Sequence, residues 1–524
     1  MRDLLYILRR EKGTFTRVLL LGLVVNTGIS LLSPLFLKQL FDRCVAAKDM
    51  KLFSALLAGF MVLATAYRLL KLWQSLEVQK LKNGLCRALV GELLRKYYRL
   101  PYAETIRLAP GYFASRIFDE PLTAAGSAVD LSLGIAEAGT VFIASAALLA
   151  FLSPHAAALL GACVPLLLRL ARKYGGAVKT QADAEKEAES ELRGFIAKAT
   201  QAYRSVRLFS LSDTVFSGLN GRLDAFMGRN IDRLKASCVH NTVSSILMSY
   251  AETLVIIVCG YEMMHGRMTF GGFMAFMSAF WTAVNSMRTL AQKVPELARQ
   301  GALVERIRVF LSAPEVIETG SSGEIRLRGV SAGYGGPQIL SRLNLEIGGG
   351  EKVLLSGRNG SGKSTLAGVL MNFLAPTEGV ARTPSLDRVS ACLAPHPFIP
   401  GTVADNLGRE RMTTTQETYL GGLLRDFGVE DVLDMDPDAL SSGQRKKVEV
   451  IQALLKEADL YILDEPLANV DADSKAVMLE RILERAEGRA LVVVMHGDDD
   501  LKTRFDRVIA LDAREPVAAA ASRA

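Results

Sequence analysis

Cysteine is scarce and unpaired in this sequence. The six cysteines in 524 residues stand at 44, 86, 163, 238, 259 and 392 with no C-x-x-C spacing, so they imply neither a disulfide framework nor a zinc site. A cleavable signal is also missing. The first apolar run continues past Ser30 into Leu31-Leu32-Ser33-Pro34-Leu35-Phe36 without a small-residue cleavage site. There is no concentrated basic patch of the kind that tracks a phosphate backbone. The +7 net charge is instead placed before the first apolar run, at Arg2, Arg9, Arg10, Lys12 and Arg17, and in the long loops between later runs. That is a positive-inside pattern, and no nucleic-acid partner is expected.

What the sequence has in quantity is apolar residue, at 50% of the chain with a mean hydropathy of +0.22. These residues crowd into the first 300 positions, in runs long enough to cross a bilayer. Six spans are expected, near 15–40, 52–73, 129–152, 156–172, 243–264 and 270–291. Short connections, such as Ser153-Pro154-His155 and Gly266-Arg267-Met268-Thr269, alternate with long charged ones. The stretches 74–98 and 181–198 in the long connections are rich in Glu, Lys, Arg, Ala and Leu and read as helical. The alternation places both termini on the cytoplasmic side of a lipid bilayer. Beyond 312 the character changes. A linker at 312–323 leads into alternating strands and helices, an α/β nucleotide-binding pattern, and the alanine-rich 516–524 reads as a disordered tail. The expected fold is therefore an all-α six-helix membrane domain at 1–312 followed by an α/β P-loop domain at 323–515.

Residues 357–364 read Gly-Arg-Asn-Gly-Ser-Gly-Lys-Ser, a complete G-x-x-x-x-G-K-[ST] phosphate loop between an apolar strand and a helix. Gly357, Gly360 and Gly362 let the backbone N–H groups of the loop, with Arg358, Asn359 and Ser361 between them, converge on a polyphosphate. Lys363 supplies a charge for the β- and γ-phosphates and Ser364 a hydroxyl for Mg²⁺, with Thr365 opening the helix behind them. Further on, Leu460-Tyr461-Ile462-Leu463-Asp464-Glu465 is an apolar strand ending in two carboxylates. Asp464 can order the Mg²⁺ shell beside Ser364, and Glu465 can act as general base toward water. Leu440-Ser441-Ser442-Gly443-Gln444 precedes it, with Ser441 placed to cap a helix whose free N–H groups can bind phosphate.

That last segment resembles the LSGGQ signature of ABC ATPases, with Ser442 in place of the first glycine. Tyr334 lies where that family places an aromatic on adenine, Ala468-Asn469-Val470-Asp471 resembles the D-loop, and His496 stands at the switch-histidine position. Leu100-Pro101-Tyr102 with 111–119, Arg193-Gly194-Phe195 with 206–209, and 268–273 resemble parts of the membrane half. The whole chain resembles a half-size ABC exporter of the six-span type I architecture. The resemblance implies ATP and Mg²⁺ as cofactors, Lys363, Glu465 and His496 as catalytic residues, and Ser364 and Asp464 as metal ligands. It implies a homodimer, or a heterodimer with a second half-transporter, in which Ser441, Gly443, Gln444 and Asp471 complete the other subunit's ATP site. Coupling helices are expected at 118–125 and 202–211, and a bacterial inner membrane is the expected location.

The chain departs from the pattern at the Q-loop, where Ala394 or, after a shift, His396 stands at the glutamine position. A membrane-tethered ATP-binding regulatory partner with weak or no turnover is the alternative reading. Glu137, Glu252 and Arg288 fall inside expected spans, and a charge there is a functional candidate. Glu252 and Arg288 could pair with each other. With only 1–14 ahead of the first span, no peptidase domain is expected there. Peptide, lipid and amphiphilic small-molecule substrates stay open.

Overall fold

The computed structural model describes residues 2–45, 48–106, 110–315, 325–334, 337–358, 360–393, 397–495 and 499–511, with side chains apart from those at 2–3, 110, 159–160, 162–179, 294–295, 298 and 499–501. Ala394, His396, Asn359, His496 and the 516–524 tail lie outside the described residues. The chain forms two compact units, one of Met1–Gly91 and Arg116–Val309, the other of Glu92–Ser115 and Phe310–Ala524.

The first unit is helical. In chain order the helices are α1 (Arg2–Leu8), α2 (Lys12–Gln39, running on through a π-turn at Leu40–Val45) and α3 (Met50–Tyr97). After the short α4 (Tyr102–Ile106) and α5 (Pro110–Ala114) come α6 (Glu120–Leu152), α7 (Pro154–Gln201), α8 (Tyr203–Leu208), α9 (Ser212–Met264) and α10 (Phe270–Ser312). The helix-prone connections are not separate helices. They are continuations of the spans, so α3 and α7 each have 48 residues, and α9 has 53. At about 1.5 Å per residue each runs about 70–80 Å, more than twice a hydrocarbon core of about 30 Å. The absence of proline in 74–98 lets α3 run on through Gly84 and Gly91. The tight turn at 153 is fixed by Ser153, whose side chain accepts from the Ala156 N–H, with Pro154 in the first helical turn.

Among the described residues four segments are long and apolar enough to cross a membrane: Leu4–Val45, Met50–Tyr97, Gly111–Leu152 and Ser212–Met264. They carry the first, second, third and fifth expected spans. The fourth falls on α7, where most side chains of 156–172 are outside the described set. The sixth falls on α10, where Gly271, Gly272, Trp281, Thr282, Asn285 and Ser286 dilute the apolar run. A core of Leu148, Leu149, Val255, Cys259, Phe276, Ala279 and Phe280 ties α6, α9 and α10 together.

The second unit holds two sheets. An antiparallel sheet of order β2-β1-β4 comprises β1 (Ile325–Ala332), β2 (Leu340–Ile347) and β4 (Glu378–Arg382). A parallel sheet of order β5-β6-β7-β3-β8 comprises β3 (Lys352–Gly357), β5 (Val389–Cys392), β6 (Leu460–Asp464), β7 (Ala490–Val494) and β8 (Arg507–Leu511). The runs Leu460–Leu463 and Ala490–Val494 are buried throughout, as strands covered on both faces must be. One face carries α11 (Lys363–Leu370) with β1 and β2. The other carries α12 (Val403–Leu407), α13 (Thr414–Phe427), α14 (Ser442–Leu455) and α15 (Ala472–Arg485).

The expected coupling segment at 118–125 lies in the first unit. It forms the π-turn Ser115–Asp119 and the start of α6 in the first unit, where Glu120 pairs with Arg116 at 2.8 Å and Arg306 at 3.4 Å. It is α4, earlier in the chain, that belongs to the nucleotide-binding unit. The Tyr102 ring lies 5.2 Å from that of Phe373, just past α11, and Ala103 packs on the same apolar cluster. The C-terminal end of α3 is tied in by Lys96, which is buried and 2.9 Å from Glu315.

Candidate functional site

Parallel strands bring their C-terminal ends to one edge of a sheet, which is where ligands bind in open α/β folds. Here Val494 pairs with Leu355 on one side and with Asp464 on the other, so the ends of β3, β6 and β7 are level. The phosphate loop leaves β3 at that edge.

Two of its glycines are required by shape. Gly357 has φ 153°, and a Cβ there would sit 2.6 Å from the Leu511 carbonyl oxygen and 2.8 Å from Ser361 Oγ. Gly362 has φ 97°, and a Cβ there would meet Leu340 Cδ2 at 2.8 Å. The loop is therefore held against β8 and β2 in a conformation that L side chains avoid. Lys363 is buried and donates from Nζ to the carbonyls of Gly357 at 2.7 Å and Arg358 at 3.0 Å, which fixes its ammonium at the mouth of the loop. Ser361 Oγ is buried in the loop without a hydrogen-bond partner, an orphan that a phosphate oxygen would satisfy. Ser364 is exposed and Thr365 buried, so of the two hydroxyls only Ser364 faces outward. These features fit a bound polyphosphate. Tyr334 is half-buried against the cluster of β1, β3 and α11.

Asp464 ends β6, and Glu465 follows it at φ 47°. The Glu465 N–H donates to the Val494 carbonyl at 2.8 Å, so the chain is pinned while its backbone turns into the left-handed region. A non-glycine residue held this way costs on the order of 1–3 kcal/mol, and such strain concentrates at functional sites. Asn469, at φ 60°, repeats the device four residues later.

The signature segment and the D-loop are locked together. Ser441 caps α14 by accepting from the Gln444 N–H at 3.2 Å, while Gln444 Oε1 accepts from the Ser441 N–H at 3.1 Å. This reciprocal capping box uses the Gln444 side chain structurally. Gly443 is close-packed, since a Cβ there would lie 3.0 Å from the Asn469 carbonyl oxygen. Asp471 caps α15 by accepting from the Ser474 N–H at 2.8 Å and pairs with Lys447 of α14 at 3.3 Å. The Ser474 hydrogen bonds first, and then Lys447, hold the Asp471 carboxyl far below the usual carboxylate range.

Residues 17–287 match the family described as ABC transporter transmembrane region, and residues 340–468 match the ABC transporter family. The chain belongs to the ABC transporter family. It is an integral membrane protein in which a helical transmembrane domain precedes an ABC ATPase domain, and that domain implies ATP binding. Its relatives include the "ATP-dependent lipid A-core flippase" of Neisseria gonorrhoeae, 26% identical over 383 residues that cover 66% of this chain and 60% of the relative. The flippase of the same name from Bordetella avium is 24% identical over 467 residues, covering 82% of this chain and 78% of the relative. The chain thus spans about three-fifths of the length of the Neisseria relatives it matches.

Within this ABC transporter the membrane-level charges are arranged differently from expectation. Glu252 and Arg288 do not pair. Glu252 accepts from the Trp281 indole at 3.1 Å, and among the described residues neither it nor Arg288 has an ion-pair partner. Glu137 sits in a network on α2, α3 and α6. Gln74 donates to Glu137 Oε1 at 2.7 Å, and Lys71 Nζ reaches Asn26 Oδ1 at 3.2 Å, Gln74 Oε1 at 3.1 Å and Glu137 at 3.6 Å. Tyr67 OH also donates to Asn26 Oδ1 at 3.3 Å. Gly22 makes room for this cluster, since a Cβ there would lie 2.2 Å from Glu137 Oε1. Sequence reading missed Lys71 and Gln74, although Tyr67, Lys71 and Gln74 recur at helical spacing at the end of an apolar run. A missed carboxylate is Glu262, buried and bonded to Ser153 Oγ at 2.7 Å and His155 Nδ1 at 3.1 Å.

Proposed function

We propose that this chain is one half of an ATP-driven exporter that moves a lipid or amphiphilic small molecule across a bacterial inner membrane, with both termini cytoplasmic. The observation that carries the reading is the joining, in one chain, of membrane-crossing helices to a sheet edge where a glycine-shaped phosphate loop faces Asp464 and a strained Glu465. The flippases named above support a lipid or amphiphile. Peptide substrates are the remaining class.

In this reading 1–312 is the membrane domain and 323–515 the ATP-binding domain, with α4 added to the latter by packing. Lys363 and the loop N–H groups hold the β- and γ-phosphates. Ser364 and Asp464 hold Mg²⁺, which when bound neutralises phosphate charge. Glu465 accepts a proton from the attacking water and His496 orients it. Ser441 and Gly443 present the N-terminus of α14 to the nucleotide of a second copy or of a related half. The exposed Tyr203, Leu208 and Phe209 of and beside α8, with relative accessibilities of 67%, 77% and 71%, give that second half an apolar surface to receive.

The test is translocation of fluorescent lipid, peptide and amphiphilic drug by the purified chain in proteoliposomes, with Glu465→Gln as control. ATP-dependent movement of one class, absent in the control, is the expected result. ATP binding without turnover under any substrate would make the chain a regulatory partner instead.

A further inference from the structure

The turn at 465–471 carries the proposed general base at one end and the N-cap of α15 at the other. Both ends are fixed. The Glu465 N–H donates to the Val494 carbonyl at 2.8 Å. Asp471 divides its two oxygens: Oδ1 accepts from the Ser474 N–H at 2.8 Å, and Oδ2 lies 3.3 Å from Lys447 Nζ of α14. Between the ends the turn lies along α14. Gly443 and Lys447 are four residues apart and so share one face of that helix. A Cβ at Gly443 would lie 3.0 Å from the Asn469 carbonyl oxygen, and Val470 is buried in the same apolar cluster as Val448. The one ionic tie between α14 and the turn, among the described residues, is Lys447 to Asp471.

That pair is unequal. The Lys447 side chain is 12% accessible and that of Asp471 is 60%. The carboxylate is solvated, so the pair adds little stability. The ammonium is mostly covered, and a covered charge keeps to the counter-charge within reach. The value of the pair is geometric. We propose that Lys447 is a positioning residue that ties the Glu465 turn to α14, so that seating the α14 N-terminus on the nucleotide of a second half sets the general base for the nucleotide of its own half. A shift of α14 reaches the turn at Asn469 and at Asp471. The Glu465 N–H is held by β7, so the shift is taken up between them, where Glu465 and Asn469 stand at φ 47° and 60°. Hydrolysis at one site then depends on occupancy of the other.

The inference rests on the reading of ATP shared between two halves, and its test separates the two. The full chain in lipid nanodiscs is used. Amide exchange across 465–471 is followed by mass spectrometry with and without a non-hydrolysable ATP analogue and Mg²⁺, and turnover is measured across ATP concentration. In the wild type the analogue should slow exchange in the turn, and turnover should rise cooperatively with ATP. Lys447→Met should keep its affinity for a fluorescent ATP analogue and lose the slowing. Its kcat should fall by about 10–100-fold with KM little changed, and its ATP dependence should become a simple hyperbola. Lys447→Arg, which keeps the charge and the reach, should restore all three. Asp471→Asn removes the partner instead of the ammonium. It should copy the lost slowing, and it keeps the test open if Lys447→Met folds poorly. Wild-type exchange in the turn that ignores nucleotide overturns the proposal. So does a Lys447→Met protein with wild-type slowing and kcat, or an equal defect in Lys447→Arg. A wild-type chain that binds nucleotide without turnover loses the exporter reading, while the exchange measurement still decides this inference. A wild-type chain that binds no nucleotide overturns both.

Discussion

In the nucleotide-binding unit, the charged groups that matter are held by backbone: Lys363 by two loop carbonyls, Glu465 by a strand hydrogen bond, Asp471 by the N–H that it caps. In the membrane unit they are held by other side chains, as Glu137 is by Gln74 and Lys71 and Glu262 is by Ser153 and His155. Backbone fixes a group in one orientation whatever the rest of the protein does. A side-chain network can exchange partners when helices shift. The first arrangement suits chemistry repeated at one place; the second suits a domain that rearranges.

The contrast is broken most sharply at the phosphate loop. Lys363→Ala should lose nucleotide binding, and Glu465→Gln should keep it while turnover falls by about 10²–10⁴-fold, as expected when a general base is removed. Binding in EDTA and phosphate release measure the two separately. Next in size is the membrane network. Glu137→Leu leaves Lys71 and Gln74 facing an apolar group, and Lys71 is partly exposed (43%), so the loss should be about 1–3 kcal/mol, read as a lower thermal midpoint in detergent. Lys71→Met added to Glu137→Leu should recover part of it. If the single variant melts like the wild type, the network holds nothing together.

Smaller effects sharpen the nucleotide side. Ser441→Ala removes one half of a capping box and should cost about 1 kcal/mol in unfolding by denaturant. Asp471 gives the smallest signal, and it is a pH effect. Its folded pKa lies below its unfolded one, so its contribution is fully present above the unfolded carboxylate pKa of about 4 and is lost only as pH falls toward the folded value. Asp471→Asn should lower stability above about pH 4, where the contribution is fully present, and flatten the acid limb, so that variant and wild type converge as pH falls below about 4. A neutral-pH loss equal to the acid-side loss would show that Asp471 acts through something other than its charge.

The same contrast governs what could be read from the sequence. A backbone cradle demands given residue types at fixed spacing, so the phosphate loop, the strand ending in Asp464-Glu465 and the Ser441 cap were visible without coordinates. The membrane network draws on Asn26, Lys71, Gln74 and Glu137, four positions on three helices, and no spacing rule joins them. The pairing expected between Glu252 and Arg288 failed for that reason: both lie in spans, but only the packing shows that Glu252 meets Trp281. α4 was not foreseen because it is a five-residue helix with no periodicity of its own, identified only by Tyr102 and Ala103 packing near Phe373.

The measurement that bears most directly on the account is ATP hydrolysis by the full chain in lipid bilayers, wild type beside Glu465→Gln, with and without amphiphilic substrate. The account predicts substrate-stimulated turnover in the wild type, and in the variant retained nucleotide binding with turnover reduced at least about 100-fold. Equal turnover in the two proteins would contradict it.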